Sequence, residues 1–142
     1  MNPARWISGL FARRHAAKPP LRLRISNVTR QAELADCIDV ADSVQKRRKG
    51  LLGRDKLSAG EGLWIVPCEA VHTFGMRFAI DLVYLDRDKK VKKVRHAVPP
   101  GRLSACFSAH SVLELASGSV HRTGTKPGDR LEFCSEPISE SQ

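Results

Sequence analysis

Short apolar runs broken by glycine and proline turns set the limits on what this chain can fold into. Residues 63–66 (Leu-Trp-Ile-Val), 80–85 (Ile-Asp-Leu-Val-Tyr-Leu) and 112–115 (Val-Leu-Glu-Leu) are each of strand length. Leu21, Leu23 and Ile25 alternate with Arg22 and Arg24, a period-2 pattern that reads as a further strand. Extended segments are also expected at residues 36–40, 91–94 and 130–133. Turns fall at Gly60-Glu61-Gly62, Asp86-Arg87-Asp88-Lys89, Val98-Pro99-Pro100-Gly101 and Lys126-Pro127-Gly128-Asp129. Helical spacing is sustained only at residues 43–52. There Asp42 and Ser43 offer a start, Gln45 a capping partner for Asp42, and Gly53 a left-handed stop. A short helical turn is expected between Gly118 and Gly124. No long helix separates consecutive strands, so a doubly wound parallel sheet is excluded. The pattern predicts an α+β fold: a compact, β-rich, barrel-like domain with one main helix and short helical turns.

At 142 residues and 42% hydrophobic content, the chain is long enough for one core and too short for two. No run of 18 apolar residues is present to form a membrane-spanning helix. The boundaries expected are a basic, flexible extension at residues 1–20, a single domain at 21–134, and a disordered polar tail at 135–142. The compartment read from this is cytoplasmic.

The net charge of +9 suggests nucleic acid until its distribution is considered. The first 30 residues hold seven basic side chains and no acid. Removing those seven from the net of +9 leaves +2 for the rest of the chain. Two basic patches remain, Lys46-Arg47-Arg48-Lys49 and residues 89–95, and no aromatic residue interleaves with either. Nucleic-acid binding is therefore not expected, and both patches read as solvated faces, with contact to phosphate or an acidic ligand as the alternative. In the leader, Trp6, Ile7, Leu10 and Phe11 share one side of a short helical pattern flanked by Arg5, Arg13 and Arg14. That chemistry suits a membrane surface, so a peripheral protein tethered by residues 1–14 is an alternative reading. The apolar stretch is too short and too broken for a secretory signal.

Three stretches occur in a specific order. Residues 50–57 (GLLGRDKL) with 60–68 (GEGLWIVPC) form the first, residues 71–86 (VHTFGMRFAIDLVYLD) the second, and residues 112–118 (VLELASG) with 126–131 (KPGDRL) the third. This order, spanning about residues 36–133, resembles the bacterial and archaeal domain of unknown function 192 family. The resemblance implies a compact β-rich α+β fold with a helix packed across it, and it implies no established activity. Many relatives carry an export or lipoprotein leader, and this chain shows no clear one.

Candidate site residues come from separate pieces of the motif. Arg54 follows glycine turns, where a guanidinium is well placed to hold a carboxylate or phosphate. Asp81 lies within an apolar strand and needs a partner, with Arg47, Arg54 or Arg77 as candidates. Glu114 poses the same problem in its own strand. His72 and Thr73 are expected in a loop, while Phe74 and Met76 read as core. The leading reading is a non-enzymatic binding or accessory domain, its polar pocket built from Arg54, His72, Arg77 and Asp81 for a small anionic or sugar-like ligand. A small hydrolase-like enzyme using His72 with Asp81 or Glu114 is the alternative; no complete catalytic signature, cofactor motif or resident metal is read. Cys37, Cys68, Cys106 and Cys134 read as buried free thiols. The spacings Cys68…His72 and Cys106…His110 admit a zinc set only if the two pairs converge.

Overall fold

A computed structural model describes residues 21–137. Nine strands and two short helices follow in the order β1 (Leu21–Asn27), β2 (Ala32–Ala41), α1 (Val44–Lys49), β3 (Glu61–Ile65), β4 (Ala70–His72), β5 (Ile80–Leu85), β6 (Val91–Val98), β7 (Leu103–Ala105), β8 (Ser111–Ala116), α2 (Ser119–Thr123) and β9 (Leu131–Pro137). Seven strands form one mixed sheet, ordered β6-β5-β8-β3-β2-β1-β9, and β4 pairs with β7 in a separate antiparallel ribbon. Every pairing in the large sheet is antiparallel except β2 with β3, which the α1 segment connects.

The α+β, mostly-β expectation holds, but the sheet is not closed into a barrel. Its edge strands meet only at one corner, where Lys90 bridges Arg130 and Val91 N–H donates to the Asp129 carbonyl. Beyond that corner β6 continues along β5 while β9 continues along β1 to Pro137, so no continuous ladder joins them. The last strand also takes in residues 135–137, which the sequence pattern assigned to a tail. Residues 1–20 and 138–142, including the proposed tether, lie outside the described residues.

The strands at 80–85 and 112–115 form where expected because they are covered on both sides. Every residue of β5 and of β8 is buried. Period-2 alternation then sorts their side chains onto two faces. Val83, Leu85, Leu113 and Leu115 pack with Ile25, Ile38, Leu131 and Val120 of α2 in one core cluster. Ile80, Leu82, Tyr84 and Val112 pack with Leu51, Leu63, Ile65 and Met76 in a second, on the other face.

Asp81 ties the first face together. Its carboxylate accepts from Ala97 N–H at 2.8 Å, Gly118 N–H at 3.0 Å and Val120 N–H at 3.0 Å. Among the described residues no arginine is involved. Gly118 begins α2 at φ 96, a left-handed conformation natural to glycine, and α2 has no side-chain cap of its own. Asp81, reaching from β5, supplies that cap from across the fold. It also holds the bulged end of β6, where Ala97 has φ 45 and the β5–β6 register shifts.

At the other end, Ser43 rather than Asp42 caps α1 by accepting from Lys46 N–H at 3.2 Å. The helix ends at Gly50, before the stop expected at Gly53. None of its residues is buried, and Leu51 just beyond it is the anchor. Gly62 is required where β3 crosses β8, since a Cβ there would meet the Glu114 carbonyl oxygen, Ile38 Cδ1 and Leu115 Cδ2.

Removing the Asp81 carboxylate leaves three inward N–H groups without their acceptor. Asp81→Ala is expected to lower the unfolding free energy by about 3 kcal/mol or more. A urea midpoint equal to that of the unmodified protein would show that the carboxylate does not hold the fold.

Candidate functional site

The second face of the sheet is not filled completely. A cavity of about 350 Å³ lies between β8 and the cover formed by α1, the turn after it, the end of β3, and β4. Its walls are apolar, with Val44, Leu51, Leu52, Ile65, Val71 and Met76 among the lining residues. Arg47, Arg48 and Lys49 of α1 add a basic side, and Cys68, His72 and Glu114 also line it. The basic side follows from the exposure of α1, whose four consecutive cations Lys46–Lys49 form its last turn. Arg47 donates to the Asp42 carbonyl at 3.1 Å and Lys46 pairs with Asp42. Neither Arg48 nor Lys49 meets a carboxylate among the described residues.

Glu114 is the exceptional group. It is 3% exposed, and its Oε2 has no hydrogen-bond partner among the described residues. Its strand neighbours are Leu63 on one side and Leu82 on the other. Desolvation therefore acts without compensation and pushes the carboxyl up to about 7. Close to neutral pH the group exists in both forms, able to donate a hydrogen bond or to accept one. Burial also raises the Cys68 thiol, and the nearby Glu114 carboxyl adds to the rise. The thiol donates to the Ala70 carbonyl at 3.2 Å. A raised pKa is the opposite of what a nucleophilic cysteine requires.

The four residues expected to form the pocket do not meet around this cavity. His72 alone of them lines it. It sits at the end of strand β4 rather than in a loop, with its ring 5.6 Å from that of Phe74. Arg54 pairs with Asp39 at 2.7 Å, and Arg77 pairs with Asp55. Asp81 faces the opposite side of the sheet, because β5 and β8 align Asp81 with Leu115 and Leu82 with Glu114. Asp81 and Glu114 therefore cannot act on one substrate as an acid–base pair. No histidine–carboxylate hydrogen bond is present among the described residues, so the geometry of a His72-based catalyst is incomplete.

The thiols differ from expectation in burial. All four are free, but Cys134 is exposed and Cys37, Cys68 and Cys106 are half-buried. The two Cys–His pairs do not converge into a metal-holding group; among the described residues no three His, Cys, Asp or Glu side chains do so. Met76 is core as expected, whereas Phe74 is half-exposed.

The sequence offered the basic side of the cavity only as the second reading of residues 46–49. The pattern of residues 46–49 is that of a solvated helix, and only the tertiary fold lays that helix over Glu114. The signal for Glu114 itself was present, a lone carboxylate inside Val-Leu-Glu-Leu.

The Glu114 shift fixes the sign of a pH effect. Its folded value of about 7 exceeds the ordinary 4.5, so the folded state binds the proton more tightly than the unfolded chain. Stability from this group is full below pH ~4.5 and is lost as pH rises through about 7. The loss is expected to total about 3 kcal/mol by pH 8. Denaturant unfolding of Glu114→Gln should show a flatter dependence between pH 5 and pH 8, and equal slopes in the two proteins would contradict the assignment.

Among the described residues no helix is long and apolar enough to cross a membrane. No curated protein matches the chain. Two solved structures share the fold. One is a proposed transcription regulator from Sinorhizobium meliloti 1021, 23% identical, with a TM-score of 0.70 and alignment over 80% of this chain and 92% of that one. The other is a protein of unknown function from Novosphingobium aromaticivorans DSM 12444, 20% identical, with a TM-score of 0.68 over 78% and 82% of the two chains. At those identities the likeness extends to architecture alone. The family model DUF192, described as Uncharacterized ACR, matches residues 26–133. With its order of motifs and most of its length matched, this chain belongs to the domain of unknown function 192 family.

Proposed function

We propose that this protein is a non-enzymatic binding domain that takes a small ligand into the cavity above Glu114. The observation that carries this reading is Glu114, a lining residue of a cavity with a basic side, whose buried Oε2 has no partner among the described residues. A buried carboxyl without a partner costs stability, and apolar substitution of such groups is commonly neutral or favourable. A ligand hydroxyl would supply the missing partner, accepting from neutral Glu114 or donating to its ionised form. An anionic group on the same ligand would meet Arg47, Arg48 or Lys49. A cavity of about 350 Å³ is in the range of small-molecule sites and suits a compact hydroxylated acid, a sugar acid or a sugar phosphate. The apolar walls fix the body of the ligand while the two polar ends orient it.

His72 lines the same cavity and gives the small-hydrolase reading its one point of support. Within it, His72 would pair with Glu114 and not Asp81. Against that reading, among the described residues His72 has no orienting carboxylate and the cavity has no activated nucleophile. Arg54 and Arg77 enter the ligand reading only if ligand draws them away from Asp39 and Asp55.

The test is a thermal-shift panel of hydroxy acids, sugar acids and sugar phosphates on the full chain, with native mass spectrometry for a co-purified adduct. A ligand at a hundred times its Kd adds about 2.7 kcal/mol, which is several degrees in Tm. We expect one class to stabilise the wild-type protein, with the effect lost in Glu114→Leu and weakened in Arg47→Glu. Equal shifts in wild type and Glu114→Leu would end the proposal, as would turnover of the ligand.

A further inference from the structure

β4 lines the ligand cavity, but the exposed apolar side chains of the β4–β7 ribbon lie outside that lining. Of the five large hydrophobic side chains exposed among the described residues, three belong to this ribbon or its ends. Leu103 is 71% exposed, Phe107 80% and Phe74 50%. Register explains the clustering. His72 lies opposite Leu103 and Ala70 opposite Ala105, so these four share the outer side of the ribbon. Phe74 extends that side by packing against the His72 ring, and Phe107 lies two residues past Ala105 at the turn. The inner side is secured by Ser104, which accepts from the Tyr84 hydroxyl at 2.8 Å. Thr73 fastens the neighbouring loop by donating to the Pro99 carbonyl and accepting from Arg102 N–H. The outer side is thus a fixed apolar surface, bordered by a shallow groove lined by Ala70, Val71, His72, Leu103, Ser104 and Ala105.

Cations frame it. Lys93 donates to the Ala105 carbonyl at 2.8 Å, and Arg95 to the Leu103 carbonyl at 3.4 Å, which brings both head groups from β6 to the edge of β7 away from β4. Arg102 is exposed beside Leu103. None of the three is in a salt bridge among the described residues. Glu69 is the single acid in residues 68–74 and 101–108. We infer that the outer face of the β4–β7 ribbon docks on an anionic lipid surface, inserting Leu103, Phe107 and Phe74 while Arg95 and Arg102 meet the headgroups. Two strands of three residues are far too little for a stable protein interface, which needs about 20–30 residues a side. A few inserted apolar side chains and a handful of cations do suffice at a bilayer, where the anionic field is continuous. A second copy is disfavoured because it would bring Arg95 and Arg102 against their own kind. The basic, aromatic leader at residues 5–14 has matching chemistry and would act as a second membrane signal.

The inference stands apart from the ligand reading and fails separately from it. The full chain is sedimented with phosphatidylcholine vesicles and with vesicles that also contain phosphatidylglycerol. Binding is expected to the anionic vesicles only and to fall with added salt. Leu103→Ser with Phe107→Ser, and separately Arg95→Glu with Arg102→Glu, should each weaken it roughly tenfold or more. Far-UV circular dichroism and the urea midpoint confirm that these surface variants fold, and a chain lacking residues 1–14 should retain part of the binding. The proposal is overturned if the wild type ignores anionic vesicles, or if either double variant binds as well as wild type. Loss of all binding on deleting residues 1–14 overturns it too, as does a dimer in solution that the serine variant dissolves.

Discussion

The whole arrangement depends on two adjacent strands that are buried on both sides. Once β5 and β8 are enclosed, every polar side chain they carry must find a partner in the protein or go without. Asp81 finds three backbone donors, and in doing so it joins the start of α2 to the bulged end of β6. Glu114, one strand away and on the opposite face, finds none for Oε2. The two carboxylates look alike in sequence, each alone in an apolar run. The period of two residues per repeat separates their fates.

This contrast explains how far the sequence could be read. The strands at 80–85 and 112–115 were legible because an apolar run of that length between turns has few other solutions, and α2 was bracketed by its two glycines. The partner of Asp81 was not legible, because Ala97, Gly118 and Val120 contribute only backbone, which no side-chain pattern announces. The open sheet was equally hidden, since closure depends on whether β6 and β9 run together past their shared corner. Arg54 was singled out for the glycine turns around it and Arg77 as a partner for Asp81, yet Asp39 and Asp55 engage them. Phe74 read as core by residue type, while its place after β4 turns it outward.

The same logic separates structural from functional polarity. Asp81 is fully used by the fold, so substituting it tests stability. Glu114 works against the fold, and a domain tends to break its local rules where something must bind. Its cover is correspondingly light: α1 buries no residue of its own and is held by one serine cap and the leucine that follows. The lid over the cavity is thus among the least anchored parts of the domain, while the floor, β8, is among the most.

The lysines and arginine of β6 have one more consequence. This strand is an edge of the open sheet, with unpaired backbone groups facing outward along most of its length. Lys90 just before β6, with Lys92, Lys93 and Arg95 within it, place like charges along that margin, and the distortion at Ala97 bends its end. Two molecules approaching margin to margin would confront four cations with four cations before any ladder could form. What reads in the sequence as a surplus of basic residues thereby keeps an unclosed sheet from growing by addition of further chains.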